Sequence, residues 1–185
     1  MNKIAITGRI GSGKSTALNY FKKLGNFTLS SDEIIKQIYN DSELREMLLK
    51  RLGVTSNDYR KEIINKIQDP LFNYKLKKNI YPLMNRLRRK MFPSFISKKK
   101  LFIEVPLLFE EKLENNYNII IFIKSNFNLR RKRIIKKGMS EKYFKTMNDN
   151  QASDGPKETR SHIIIYNNSS SMDFFDNLNR CKKFL

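Results

Sequence analysis

One stretch constrains this chain more than any other: Gly8-Arg9-Ile10-Gly11-Ser12-Gly13-Lys14-Ser15 fits the pattern G-x-x-x-x-G-K-[ST]. Before it runs a short apolar segment, Lys3–Thr7. After it, Ser15–Leu24 places Ala17, Leu18, Phe21 and Leu24 at helical spacing and stops at Gly25. A buried strand, a glycine turn and an amphipathic helix are the context in which this pattern binds phosphate. Glycines let successive backbone N–H groups point inward around an anion. The helix that follows presents its positive end to the same anion. Lys14 can reach the β- and γ-phosphates, and the Ser15 hydroxyl can ligate Mg²⁺. Two readings of Arg9 stand open, a further cation near the phosphates and a solvated loop residue.

The rest of the chain continues the alternation. Phe27–Leu29, Leu101–Val105, Ile119–Ile123 and Ile163–Ile165 read as strands. Between the second and third lies a mostly helical stretch, Ser42–Phe92, in which Pro82 should kink or split a long apolar stripe. Asn128–Lys137 and Met172–Phe184 read as helices, whereas Asn150–Arg160 and Asn167–Ser171 read as loops. Strands alternating with helices imply an α/β fold, a three-layer α/β/α sandwich around a five-stranded parallel sheet. The expected organisation is one domain. Its core spans residues 1–40 and 98–185, a helical substrate-binding insert about 42–92, and a small lid about 137–158.

Composition narrows the class. Of 185 residues 39% are hydrophobic, with thirteen Phe and eight Tyr, which favours a packed core over a disordered chain. No apolar run is long enough to cross a bilayer, and the N-terminus lacks a signal-peptide pattern. The single Cys181 cannot form an internal disulfide, and no Cys/His cluster could hold zinc. The expectation is a cytoplasmic monomer that does not bind membranes. A net charge of +19 invites a nucleic-acid reading, but the basic residues are dispersed and no nucleic-acid module is recognisable. Nucleic acid is therefore not the expected partner.

Two acids complete the candidate site. Asp32 lies just beyond the second strand, at the carboxyl edge where ligands bind in such sheets. There it can orient or deprotonate a substrate hydroxyl, or simply cap a helix. Glu104 ends the third strand and can hold Mg²⁺ through water, or form a salt bridge. One or two cations of the Arg130, Arg131, Arg133 and Lys137 cluster could stabilise a transferring phosphoryl group, most of the others being solvated.

Four segments together resemble the dephospho-CoA kinase family. They are Ile6–Ser15, Leu29-Ser30-Ser31-Asp32-Glu33-Ile34, Phe102-Ile103-Glu104-Val105-Pro106-Leu107-Leu108-Phe109-Glu110 and Tyr117-Asn118-Ile119-Ile120. The third is the most specific. Arg60, Arg133, Gln151 and Asn167 are weaker matches. The resemblance implies transfer of the ATP γ-phosphoryl group to the ribose 3′-hydroxyl of dephospho-CoA, with ATP and Mg²⁺ required. It assigns the phosphates to Gly8, Gly11, Ser12, Gly13, Lys14, Ser15 and Thr16, and the substrate to Asp32, Arg60, Tyr81, Pro82 and Leu107. It makes Asp32, Lys14 and Arg133 catalytic, and gives Ser15 to the metal directly and Glu104 through water. Lys137 would close over ATP, and Asn167 would lie near its adenine. The chain departs from the family's usual residues at Arg9 (glycine), Ser30 and Glu104 (aspartate), Tyr81 (histidine) and Lys137 (arginine). It does so too at His162 and Tyr166, both usually aspartate. A nucleoside monophosphate kinase-like enzyme, or a basic nucleic-acid-binding protein with a vestigial nucleotide site, is the alternative.

Overall fold

The apolar run before the glycine loop forms β1 (Asn2–Thr7), and its inner residues Ile4, Ala5 and Ile6 are fully buried. In a computed structural model, residues 2–67, 69–91 and 100–185 are described. They fall into two compact units, Met1–Ser30 with Phe95–Leu185 and Ser31–Ser94.

The first unit holds the sheet. β1 is followed by α1 (Lys14–Lys23) and β2 (Phe27–Leu29); β3 (Lys100–Glu104), β4 (Ile119–Lys124) and β5 (Ile163–Tyr166) complete it. All neighbours are parallel, in the order β2-β3-β1-β4-β5. β1 is thus central, and its carboxyl end opens where the chain order reverses, the usual ligand position in open α/β sheets. Near-continuous apolar strands fit a sheet covered on both faces. One core cluster joins Ile4, Ile6, Phe102, Ile121, Ile123 and Ile165 of the sheet to Ala17, Leu18 and Phe21 of α1. Phe21 and Phe102 stack with centroids 4.1 Å apart. The same cluster takes in Phe174, Leu178 and Cys181 of α9 (Ser171–Cys181), the closing helix, so Cys181 serves as a small buried apolar group. A 3₁₀ turn, Lys182–Phe184, finishes what the sequence reads as a helix to Phe184.

Three helices lie between β4 and α9: α6 (Phe127–Lys136), α7 (Glu141–Asp149) and α8 (Asp154–Thr159). α8 corrects the reading of residues 150–160 as loop. Pro156 is its third residue, where a backbone N–H would have no intrahelical partner in any case, so proline does not break the turn.

The second unit is helical: α2 (Ser31–Asn40), α3 (Ser42–Leu52), α4 (Tyr59–Lys66) and α5 (Pro70–Met91). The boundary places α2 here rather than with the sheet. The stripe Phe72, Leu76, Ile80 and Leu83 is buried, as are Ile34 and Ile38 of α2 and Leu48 and Leu52 of α3. Asp41 caps α3 by accepting from Leu44 N. Pro82 does not split α5, which runs unbroken from Pro70 to Met91. Pro82 and Lys78, one turn earlier, are both exposed, so the carbonyl deprived of its donor can be hydrated.

Candidate active site

The strand register builds the site. Ile6 of β1 pairs with Glu104 of β3, and Val105 N donates to Ile6 O at 3.0 Å. The last residue of β3 therefore stands beside the start of the glycine loop. Ser15, in the first turn of α1, donates from Oγ to Glu104 Oε1 at 3.2 Å. Glu104 is buried. Lys14 opens α1, is buried, and donates from Nζ to Arg9 O at 3.2 Å.

The glycines are demanded by their neighbours. Gly11 has φ +76°, and a Cβ there would lie 2.6 Å from Arg130 O. Gly13 caps α1 at φ +108°, and its Cβ would collide with Asn167 Nδ2. Thr7 Oγ1 and Ser12 Oγ are buried and find no hydrogen-bond partner among the described residues. Buried hydroxyls without acceptors around a loop that opens a helix fit an anionic ligand.

Side chains from beyond the loop brace it. Asn167, just past β5, is buried and donates to Ser12 O at 2.8 Å. Arg133 donates from Nη2 to Asn167 O and Oδ1, at 3.0 and 3.1 Å, and from Nη1 to Gly11 O at 3.4 Å. Burial lowers its pKa. Asn167's side chain is thus committed to the loop and to Arg133. Lys137 is exposed, four residues beyond Arg133, at the C-cap of α6. Thr16 is exposed on α1, and Leu107 is half-buried after Pro106. Asp32, Arg60, Tyr81 and Pro82 belong to the helical unit. Asp32 is exposed in the first turn of α2. Arg60 lies 5.9 Å from the Tyr59 ring centroid, and Tyr59 in turn stacks on Tyr39. Tyr81 and Pro82 lie within α5.

Sequence reasoning names Arg130 only within the basic cluster and Gln151 only as a weaker family match, and gives neither a contact. In the basic cluster Arg130 is the buried member. Its guanidinium donates to Ser125 O at 2.9 Å, Ile10 O at 3.2 Å and Asn148 Oδ1 at 3.0 Å. Burial, with a contribution from the charge of Arg9, pushes its pKa down to about 10. Its i, i+3 relation to Arg133 is the signal that could have found it. Arg131, by contrast, pairs with Glu141 at 2.6 Å. Gln151 accepts from Ile10 N at 2.7 Å.

Lys157 of α8 is fully buried and donates to Glu110 Oε1 at 2.7 Å; the same oxygen accepts from Ala152 N at 2.8 Å. Lys157→Met would leave that carboxylate without its cation, and is expected to lower unfolding free energy by about 3–5 kcal/mol in urea titration. Adding Glu110→Leu should recover part of the loss, because replacing both charges by apolar groups removes the stranded one.

Among the described residues no group of three or more His, Cys, Asp or Glu side chains could hold a metal. A magnesium ion at Ser15 and Glu104 would draw its other ligands from phosphate oxygens and water. Such a set suits its preference for hard oxygens and for a few protein ligands.

The sequence matches the model of the dephospho-CoA kinase family over residues 2–173. The chain belongs to the dephospho-CoA kinase family. A dephospho-CoA kinase of Bartonella henselae is 29% identical over 174 residues, covering 89% of this chain and 88% of that one. Among solved structures, a Thermus thermophilus protein superposes with a TM-score of 0.85 at 24% identity, over 99% of this chain and 96% of that chain. The dephospho-CoA kinase of Campylobacter jejuni gives a TM-score of 0.67 at 24% identity, over 98% and 96%. At such identities the two structures speak for the fold, and they agree with the five-stranded parallel sheet and its helical layers. The departures from the family's usual residues thus sit in a chain whose match to the family model runs from residue 2 to residue 173.

Proposed function

We propose that this chain transfers the γ-phosphoryl group of ATP to the ribose 3′-hydroxyl of dephospho-CoA, giving coenzyme A and ADP, with Mg²⁺. The observation that carries this reading is the loop Gly8–Ser15 with its Ser15–Glu104 contact, in a chain of this family. Backbone N–H groups of Gly11 to Thr16 would hold the phosphates, and Lys14 would turn from Arg9 O toward the β- and γ-oxygens. Asp32 would accept the proton of the attacking hydroxyl, which lets the oxygen attack phosphorus as the bond to the ADP oxygen breaks. Arg133 and Lys137 would offset charge on the transferring group. Asn167 would border the adenine while its side chain braces the loop. Arg60, Tyr81, Pro82 and Leu107 would contact dephospho-CoA.

Ser15 would ligate the metal directly and Glu104 through water. When bound, the ion neutralises developing charge on the bridging phosphate oxygens. Glu104→Gln keeps an acceptor for Ser15 but removes the charge. It is expected to raise the Mg²⁺ concentration for half-maximal rate about tenfold, read by titrating Mg²⁺ at fixed ATP.

The deciding experiment is a coupled ADP-release assay with and without dephospho-CoA, with coenzyme A identified by mass spectrometry. Dephospho-CoA-dependent ADP and a product of coenzyme A mass support the reading. No product from a folded, ATP-binding protein would sink it, and nucleoside monophosphates and RNA would be assayed next. Among the described residues no helix is long and apolar enough to cross a membrane. We take the reaction to occur in the cytoplasm.

A further inference from the structure

Three contacts tie residues 9–10 of the phosphate loop to the far end of α7. Arg9 donates from Nη2 to Asn148 O at 2.8 Å. Ile10 N donates to Gln151 Oε1 at 2.7 Å. Arg130 bridges Ile10 O and Asn148 Oδ1, at 3.2 and 3.0 Å. Asn148 is buried in the last turn of α7, where the helix end carries partial negative charge, and its carbonyl accepts from Gln151 N at 3.2 Å as well as from Arg9. A guanidinium is well matched to that end. Its charge disfavours the charged forms of Arg130 and Lys157 nearby, and the charge of Asp154 acts the opposite way on both. Arg9 is half-buried, and its bond to Asn148 O fixes where the guanidinium lies. The backbone of this residue meanwhile accepts the Lys14 ammonium, at 3.2 Å. One residue thus touches both the end of α7 and the lysine aimed at the phosphates.

We propose that Arg9 is a positioning residue that fastens the 148–151 segment to the phosphate loop before nucleotide arrives, so that less ordering remains when ATP binds. The inference rests on the kinase reading above. Gln151 and Arg130 fix the two peptide groups of Ile10, and Arg9 adds the charged bond that keeps α7's end against them. Pre-ordering of this kind strengthens binding of ATP in the ground and transition states alike. Its loss therefore shows in KM and not in kcat.

Arg9→Met keeps the aliphatic stem and removes the guanidinium. It is expected to raise KM for ATP about tenfold, the size of a charged hydrogen bond, with kcat within about twofold. Arg9→Lys keeps the charge with a single donor group and should recover part of the loss. In ligand-free protein, hydrogen exchange of amides 146–152 should quicken in Arg9→Met and be slower again in Arg9→Lys. A purely structural role predicts instead fewer active molecules, with kcat falling and KM unchanged. That outcome, or unchanged exchange in 146–152, overturns the proposal. Should the unaltered chain make no coenzyme A, the kinase reading falls. Calorimetric ATP binding to the same variants, with the exchange data, then decides the latch by the same signs.

Discussion

Lys14→Ala is expected to yield a folded protein whose rate of coenzyme A formation is lower by about two to four orders of magnitude. The side chain sits at the first position of α1, buried, its ammonium held by a carbonyl of its own loop. A phosphate in the loop would offer that ammonium a full negative charge in place of a carbonyl dipole, in a setting where water screens little. As charge shifts from the γ-phosphoryl group to the leaving oxygen, a fixed cation there stabilises the transition state more than the ground state. Alanine favours the helix at least as well as lysine, so α1 should persist. The circular dichroism spectrum should be unchanged and the melting temperature close to the parent's. Lys14→Arg should not restore the rate, because a planar fork cannot occupy the place of a compact point charge. A folded Lys14→Ala protein that keeps more than a tenth of the parent rate would remove Lys14 from this role.

What the sequence disclosed, and what it hid, follows from the range of the interactions involved. β1, the loop and α1 were legible together because glycine spacing, apolar strand and helical stripe are all local signals. β2 was readable in full at Phe27–Leu29, and β3 to within one residue, because buried parallel strands are continuous apolar runs. Glu104 stood out as the acid that ends such a run. By contrast, α8 was hidden in a polar stretch containing Gly155 and Pro156, residues that read as breakers unless the helix is known to start at Asp154. Lys157 gave no sign of burial, since its partner Glu110 lies 47 residues away and lysine is almost never buried unless paired. The two open readings of Arg9 were a phosphate contact and solvation. Its partner proved to be Asn148 O, 139 residues on, which no local pattern encodes. Asn167 likewise stands where sequence reasoning looked for it, after the last strand. Its hydrogen bonds to the loop depend on β5 lying beside β4, which only the sheet order reveals.

Asp32 supplies the second large effect. It is the second residue of α2, three residues past the end of β2, exposed and followed by Glu33. Two roles compete for it. As proton acceptor it would act on the substrate hydroxyl; as a first-turn acid it would merely favour the positive end of α2, worth about 0.3–1 kcal/mol. Asp32→Asn separates them. Asparagine matches aspartate in size and in its worth at helix N-termini, but it carries no charge and accepts no proton at neutral pH. If Asp32 is the base, kcat and kcat/KM for dephospho-CoA fall together by about two to four orders of magnitude, since the interaction lost is made only in the transition state. KM for ATP should stay near the parent's, because in the proposed mechanism Gly11 to Thr16, and not Asp32, would hold the phosphates. If the helix end is its only concern, Asp32→Asn costs a fraction of a kcal/mol in stability and leaves the rate unchanged. Full activity in that variant would return the search for the base to the remaining acids of the chain.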